Sequence, residues 1–317
     1  MSDWTQQFPT HTPSIRYPGG LVLDESRNRV VLWGGGKVST TDYLQDTWEW
    51  DGTDWTDMSP ASPPSKRNSP GFAYDTARGH SILFGGINAS LTTLSDTWKW
   101  DGSNWTQLTP THHPSARAIG FMAYDAANSK IVLFGGFDGS FLFDTWTWNG
   151  TDWHQESPTH SPALRGDTTS MCFDYTNNNI VMWGGVNSSG TDVQETWVWD
   201  GTDWTHISTA HAPSSRNLFS MADSSNCGFV VGVGGRETGS LAFMDETWEW
   251  DGTDWTQLTP TNNPTVGAGK SCRDVVTGRI LYFIGQDSST FFSETWTFSC
   301  TPISTNYPVM NNEISLV

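Results

Sequence analysis

Five arginines recur at one place in the chain, each three residues after a proline: Arg16, Arg67, Arg117, Arg165 and Arg216. A guanidinium is a planar fork that grips a carboxylate through two parallel hydrogen bonds. An array of them is chemistry for binding an acidic peptide or another carboxylate ligand. The same sequence offers a competing use, a carboxylate before each Thr-Trp pair: Asp46, Asp96, Asp144, Glu195, Glu246 and Glu294. Arginines paired with these would hold the repeating units together, and one arginine face can serve both ends. His11, His112, His160 and His211 each precede one of the arginines by five residues. Packed sheets lie about 10 Å apart, so symmetric histidines do not converge on a metal that needs bonds of ~2 Å; they read as polar loop residues. Cys172, Cys227, Cys272 and Cys300 show no CxxC spacing and read as free thiols with no zinc site. No metal and no cofactor is expected.

Two acidic series follow the repeat. Asp24, Asp75, Asp125, Asp174, Asp223 and Asp274 close one type of turn, and Asp51, Asp54, Asp101, Asp152, Asp200, Asp203, Asp251 and Asp254 the other. Without the spacing of a calcium loop they read as turn chemistry. Neither a Gly-x-Ser-x-Gly elbow nor a P-loop is present. The expectation is a protein that is not an enzyme.

The elements that position these residues are set by the phrase Asp46-Thr47-Trp48-Glu49-Trp50-Asp51-Gly52-Thr53-Asp54-Trp55-Thr56. Trp48 returns as Trp98, Trp146, Trp197, Trp248 and Trp296, at intervals of 50, 48, 51, 51 and 48 residues. Trp48 and Trp50 alternate with Thr47 and Glu49, the period of a strand, and Asp51-Gly52 then signals a hairpin. Upstream lies an apolar strand ending in Gly-Gly, such as Val30 to Gly35 or Ile82 to Gly86. Each unit is therefore four strands, a to d, and strand b is apolar on both faces. Blades packed around an axis bury both faces, whereas an isolated meander cannot. The last unit supplies only strands a to c, and residues 3–8 are a lone strand d. The fold expected is an all-β, six-bladed propeller over residues 1–300, its last blade completed by residues 3–8, with a C-terminal tail at 301–317.

A unit of about 50 residues with Gly-Gly after an apolar strand, then an acidic residue, an aromatic-x-aromatic and a further Trp, resembles the kelch repeat. The resemblance covers residues 3–299. It implies a propeller fold, while the functions it implies are diverse: scaffolds and adaptors whose arginines grip acidic motifs, a copper galactose oxidase, and a sialic acid mutarotase. The tyrosines, cysteines and histidines form no copper constellation, so the oxidase does not carry over. A carbohydrate-active enzyme of the mutarotase type stays as the alternative.

Strand order puts the b–c and d–a connections on one face, where the sequence varies. Tyr43, Phe137, Phe141, Phe143, Phe243, Phe291 and Phe292 break the repeat there, and exposed aromatics anchor interfaces. That face, with the tail and the arginines, is the expected contact for a protein or glycan partner. The alternative for the aromatics is a plug over the channel mouth. A formal charge of −18 argues against nucleic acid and anionic membrane as partners. Charged residues are only 16 %, against about 25 % in ordinary soluble domains, which suits a structural component of a virion or cell-surface assembly. The first residues carry no basic or apolar leader, so the expected location is cytoplasmic, or a surface assembly reached without a cleaved signal peptide.

Overall fold

In the computed structural model of the chain, the residues described are 2–37, 42–163, 170–187, 189–224, 227–237, 240, 243–264, 268–276, 278–286 and 291–300, excepting the side chains of Pro18, 284–286, 291 and 292. Strand β1 (Asp3–Gln7) opens the chain. Blade one is β2 (Tyr17–Asp24), β3 (Arg29–Gly36), β4 (Tyr43–Trp50) and β5 (Trp55–Asp57). Blade two is β6 (Gly71–Asp75), β7 (His80–Phe84), β8 (Thr97–Trp100) and β9 (Trp105–Leu108). Blade three is β10 (Phe121–Asp125), β11 (Lys130–Phe137), β12 (Phe141–Trp148) and β13 (Trp153–Gln155). Blade four is β14 (Ser170–Asp174), β15 (Asn179–Trp183), β16 (Thr196–Trp199) and β17 (Trp204–Ile207). Blade five is β18 (Asn217–Ser224), β19 (Phe229–Arg236), β20 (Thr247–Trp250) and β21 (Trp255–Leu258). Blade six is β22 (Ala268–Arg273), β23 (Arg279–Gln286) and β24 (Phe291–Ser299), with β1 as its outer strand.

Closure by the N-terminal strand is seen in the antiparallel register of β1 on β24, from Asp3 opposite Ser299 to Gln7 opposite Thr295. The innermost strands touch in a complete ring, and β22 returns to β2. The two-sided apolar pattern of strand b has a direct consequence, because alternate side chains enter different interfaces. Val30 and Leu32 pack toward blade six, whereas Val31 and Trp33 pack toward blade two. Six hydrophobic clusters result, one between each pair of neighbouring blades.

Tryptophan chemistry joins the blades as well as filling them. The first tryptophan of each outer strand donates its Nε1–H to a threonine on strand c of the preceding blade: Trp55 to Thr295, Trp105 to Thr47, Trp153 to Thr97, Trp204 to Thr145, Trp255 to Thr196 and Trp4 to Thr247. All six bonds are 2.9–3.0 Å long and buried. Leaving such an N–H unpaired inside a protein costs ~1–3 kcal/mol. The threonine of the Thr-Trp phrase is therefore an acceptor for the neighbouring blade.

Candidate functional site

The repeat residues with the strongest chemistry are committed to the fold. Arg16 makes five hydrogen bonds: Nε to the Ser14 carbonyl, Nη1 to the Gly34 carbonyl and Asp46 Oδ1, Nη2 to Ser14 Oγ and Asp46 Oδ2. A guanidinium has five donors, so none is left for a ligand. Arg67 and Arg117 repeat the arrangement on Asp96 and Asp144, and Arg216 holds Glu246 at 2.5 Å. All four side chains are at most 1 % exposed, so of the two uses the sequence offered for these arginines, these four serve the carboxylates of the fold and do not present a fork to a partner. The pairs also lie within single blades. They tie the start of strand a to strand c of the same sheet, while the Trp–Thr bonds do the work between sheets. Arg165 lies outside the described residues.

The Gly-Gly pair explains how an arginine fits there. Gly86 has φ 102°, and a Cβ on it would stand 3.1 Å from Arg67 Cδ; on Gly235, with φ 92°, it would stand 2.7 Å from Arg216 Cδ. The first glycine supplies the carbonyl that the arginine bonds and the second leaves room for its stem. The carboxylate has a second duty, since Asp46, Asp96, Asp144, Glu195, Glu246 and Glu294 each accept the Nε1–H of the tryptophan two residues later. Burial pushes Asp46, Asp96 and Asp144 up, but the arginine and tryptophan bonds outweigh it and hold all three below the usual range.

The histidines join neighbouring blades. His11 on the connection into blade one bonds Asp54 twice, through its backbone N–H and through Nδ1, each at 2.8 Å. His112 meets Asp152, His160 meets Asp203, and His211 meets Asp254 in the same way, and Asn262 does so with Asp3. The strict division of d–a connections and Asp-Gly hairpins onto opposite faces therefore fails at the rim. Blade twist lets the end of one outer strand reach the start of the next. The backbone N–H of His11 and then its ring hold Asp54 below the usual carboxylate range, and the other three aspartates are lowered likewise.

The acids of the a–b turns are largely turn chemistry. Asp24 accepts from Ser26 Oγ and Arg27, and Asp125 and Asp174 accept from Asn128 and Asn177. Blade five departs from this pattern. Asp24 stands opposite Arg29, but in blade five it is Ser224 that stands opposite Phe229, and Asp223 falls one residue short. A one-residue slip turns a side chain to the other face, so Asp223 occupies the place of Leu23, Tyr74, Tyr124, Phe173 and Arg273 along the channel wall. The signal was countable, since Asp223 follows Arg216 by seven residues where the acids of blades one to three follow their arginines by eight.

The cysteine reading also needs correction. Cys227 and Cys300 form a disulfide, with Cα atoms 5.8 Å apart, and Cys172 and Cys272 are free. The bridge joins the a–b turn of blade five to the end of β24, across a sequence separation of 73 residues that no spacing rule signals.

Residues that break the repeat line the central bore. At the a–b end, in a space of about 140 Å3, Arg273 of blade six bonds Glu25 of blade one, lies 3.2 Å from Asp223 of blade five, and donates at 3.1 Å to the hydroxyl of Tyr175 of blade four. Its guanidinium also stacks 4.7 Å above the Tyr175 ring. Burial pushes Asp223 well above the carboxylate range, with the charge of Asp174 adding to it, and lowers Arg273 to about 10. At the loop end the bore widens to about 270 Å3, lined by Tyr17, Ser69, Ile119, Phe219, Arg236 and Lys270 among others.

The aromatic residues divide. Tyr43 and Phe243 are buried, Phe137 and Phe141 pack on each other at 5.3 Å and are half-buried, and Phe143 is 58 % exposed. Phe291 begins β24 opposite Gln286. The side chains of Phe291 and Phe292, and the tail 301–317, lie outside the described residues. Among the described residues no group of His, Cys, Asp and Glu could hold a metal ion, and no helix is long and apolar enough to cross a membrane. No protein-family model and no curated protein matches the chain.

Proposed function

We propose that this propeller is a non-catalytic recognition module of the kelch type that binds a protein partner through its b–c and d–a loop face. The observation that carries the reading is the placement of exposed apolar side chains. Leu91 on a b–c segment and Phe143 near the start of strand c are 71 % and 58 % exposed, and Phe8 and Ile15 on a d–a connection are 84 % and 44 % exposed. Only Tyr175 and Val276, on a–b turns, complete the exposed large hydrophobics among the described residues. None of the four is required by the repeat, and their exposure has no packing explanation. The repeat residues, by contrast, are occupied in holding blades.

The test is capture of a partner from an extract of the source, comparing wild type, Leu91→Ser with Phe143→Ser, and Asp101→Asn, whose carboxylate bonds only within its own hairpin. A protein retained by wild type and Asp101→Asn but lost by the loop-face variant supports the reading. Equal capture by the loop-face variant, or loss on Asp101→Asn alone, identifies the wrong face. A second reading, a carbohydrate-active enzyme, is favoured by the four-blade cluster of Asp223, Arg273, Tyr175 and Glu25, because desolvated acids beside cations are typical of catalytic sites. Epimerisation of a free sugar by wild type, abolished in Asp223→Asn with the fold intact, would put that reading first.

A further inference from the structure

We infer that the loop-face end of the bore is a binding site for a small organic acid, with the Arg236 guanidinium as the group that takes its carboxylate. Four observations converge on this residue. First, its identity breaks the repeat: the residue after Gly-Gly is Gly36, Ile87, Phe137 and Val186 in blades one to four, and only blade five places a cation there among these five. Second, the other described arginines, apart from the surface Arg29, are held by carboxylates. Arg236 instead stacks 5.5 Å over the ring of Phe243, and its buried Nε has no hydrogen-bond partner among the described residues. In a chain of net charge −18, a guanidinium with no carboxylate partner among the described residues runs against the electrostatic trend. A buried donor left unpaired costs free energy that a ligand oxygen would return.

Third, Arg236 lines a cavity of about 270 Å3 together with Lys270, Tyr17, Asn68, Ser69 and the apolar Ile119, Phe121 and Phe219. That is just below the usual range of small-molecule sites, about 300–1,000 Å3. It exceeds what a bare inorganic anion fills, and the mixed lining suits an organic body carrying a negative group. Fourth, the rim of this cavity is strained. Ser69, Ile119 and Leu218, each two residues past a repeat arginine, have φ of 50°, 58° and 59°. The left-handed region is a true outlier for a β-branched residue such as isoleucine, and such strain collects where ligands are held. A backbone bond of 2.8 Å from Ile119 N–H to the Ser69 carbonyl fixes part of this rim. Phe243, itself buried, packs against the guanidinium and backs one of its faces.

The experiment is isothermal titration of the whole chain with acetate, benzoate and citrate, with benzamide as the uncharged counterpart and inorganic phosphate as the bare anion. The expected result is binding of benzoate or citrate with a Kd of about 1 mM or tighter, no binding of benzamide, and a weakening of about ten- to a hundredfold in Arg236→Gln. Arg236→Lys, which keeps the charge and loses the fork, is expected to fall between, and circular dichroism melts confirm that both variants fold. The inference is overturned if none of the acids binds, if both variants bind as wild type does, or if phosphate binds as well as the best acid. Partner capture by Arg236→Gln should be unchanged, so this inference and the proposed partner surface fail separately.

Discussion

Removing one hydroxyl tests whether the ring of tryptophan–threonine bonds holds the blades together. Thr47 is fully buried, Trp105 is 4 % exposed, and the indole donates to Thr47 Oγ1 at 2.9 Å across the interface between blades one and two. Thr47→Val keeps the volume and deletes the acceptor, leaving the indole N–H without a partner in a dry interface. The cost expected is ~1–3 kcal/mol, reduced by the better burial of valine. In a Trp105→Phe background there is no N–H to orphan, and the same Thr47→Val change should be neutral or slightly stabilising. The coupling energy of the pair, read from urea unfolding followed by circular dichroism, should therefore be about 1–2 kcal/mol. Trp148 provides the control, because its buried Nε1 has no acceptor among the described residues. Thr47→Val combined with Trp148→Phe should be additive within about 0.5 kcal/mol. A coupling below that figure for Thr47 with Trp105 would show that blade cohesion is apolar packing alone.

Acid should loosen the rim and the blades together. Asp54, Asp152, Asp203 and Asp254 are lowered by histidine bonds, and Asp46, Asp96 and Asp144 by arginine and tryptophan bonds against burial. A depressed folded pKa means the contribution is complete above the unfolded value of about 3.9 and is lost as pH falls through the folded one. Unfolding midpoints in urea should be flat from about pH 7 to pH 5 as far as these groups are concerned and then drop steeply below about pH 4. Replacing the four rim aspartates by asparagine should shallow that drop, and an unchanged slope would remove them from the explanation. Deleting residues 1–8 strips Trp4 from the core, with its bond to Thr247, and bares the edge of β24. A large fall in melting temperature or association through that edge is expected in calorimetry and sedimentation. A monomer with the wild-type melting temperature would refute closure as a source of stability.

The number of blades, their four strands and the closing strand were legible in the order of residues alone. Those follow from local periodicity: Trp48 and Trp50 alternate as a strand must, the interval near 50 residues counts the units, and the orphan strand at Asp3–Gln7 matches the one missing after β24. The six carboxylates before Thr-Trp were visible as partners for the arginines for the same reason, being repeated at a fixed place. The features that depend on folding in three dimensions lie between units. His11 and Asp54 are 43 residues apart and meet because twisted outer strands bring the blade rims together. Cys227 and Cys300 meet only once the last blade closes beside the fifth. Asp223 reads as a turn acid until the register of β18 on β19 turns it one residue, and so one face, into the bore beside Arg273. Tyr43 and Phe243 broke the repeat as Phe143 did, yet packing buried the first two and left the third in solvent. Side-chain direction in a strand reverses with each residue, so a pattern that fixes the sheet leaves these positions to the register and to the neighbouring blade.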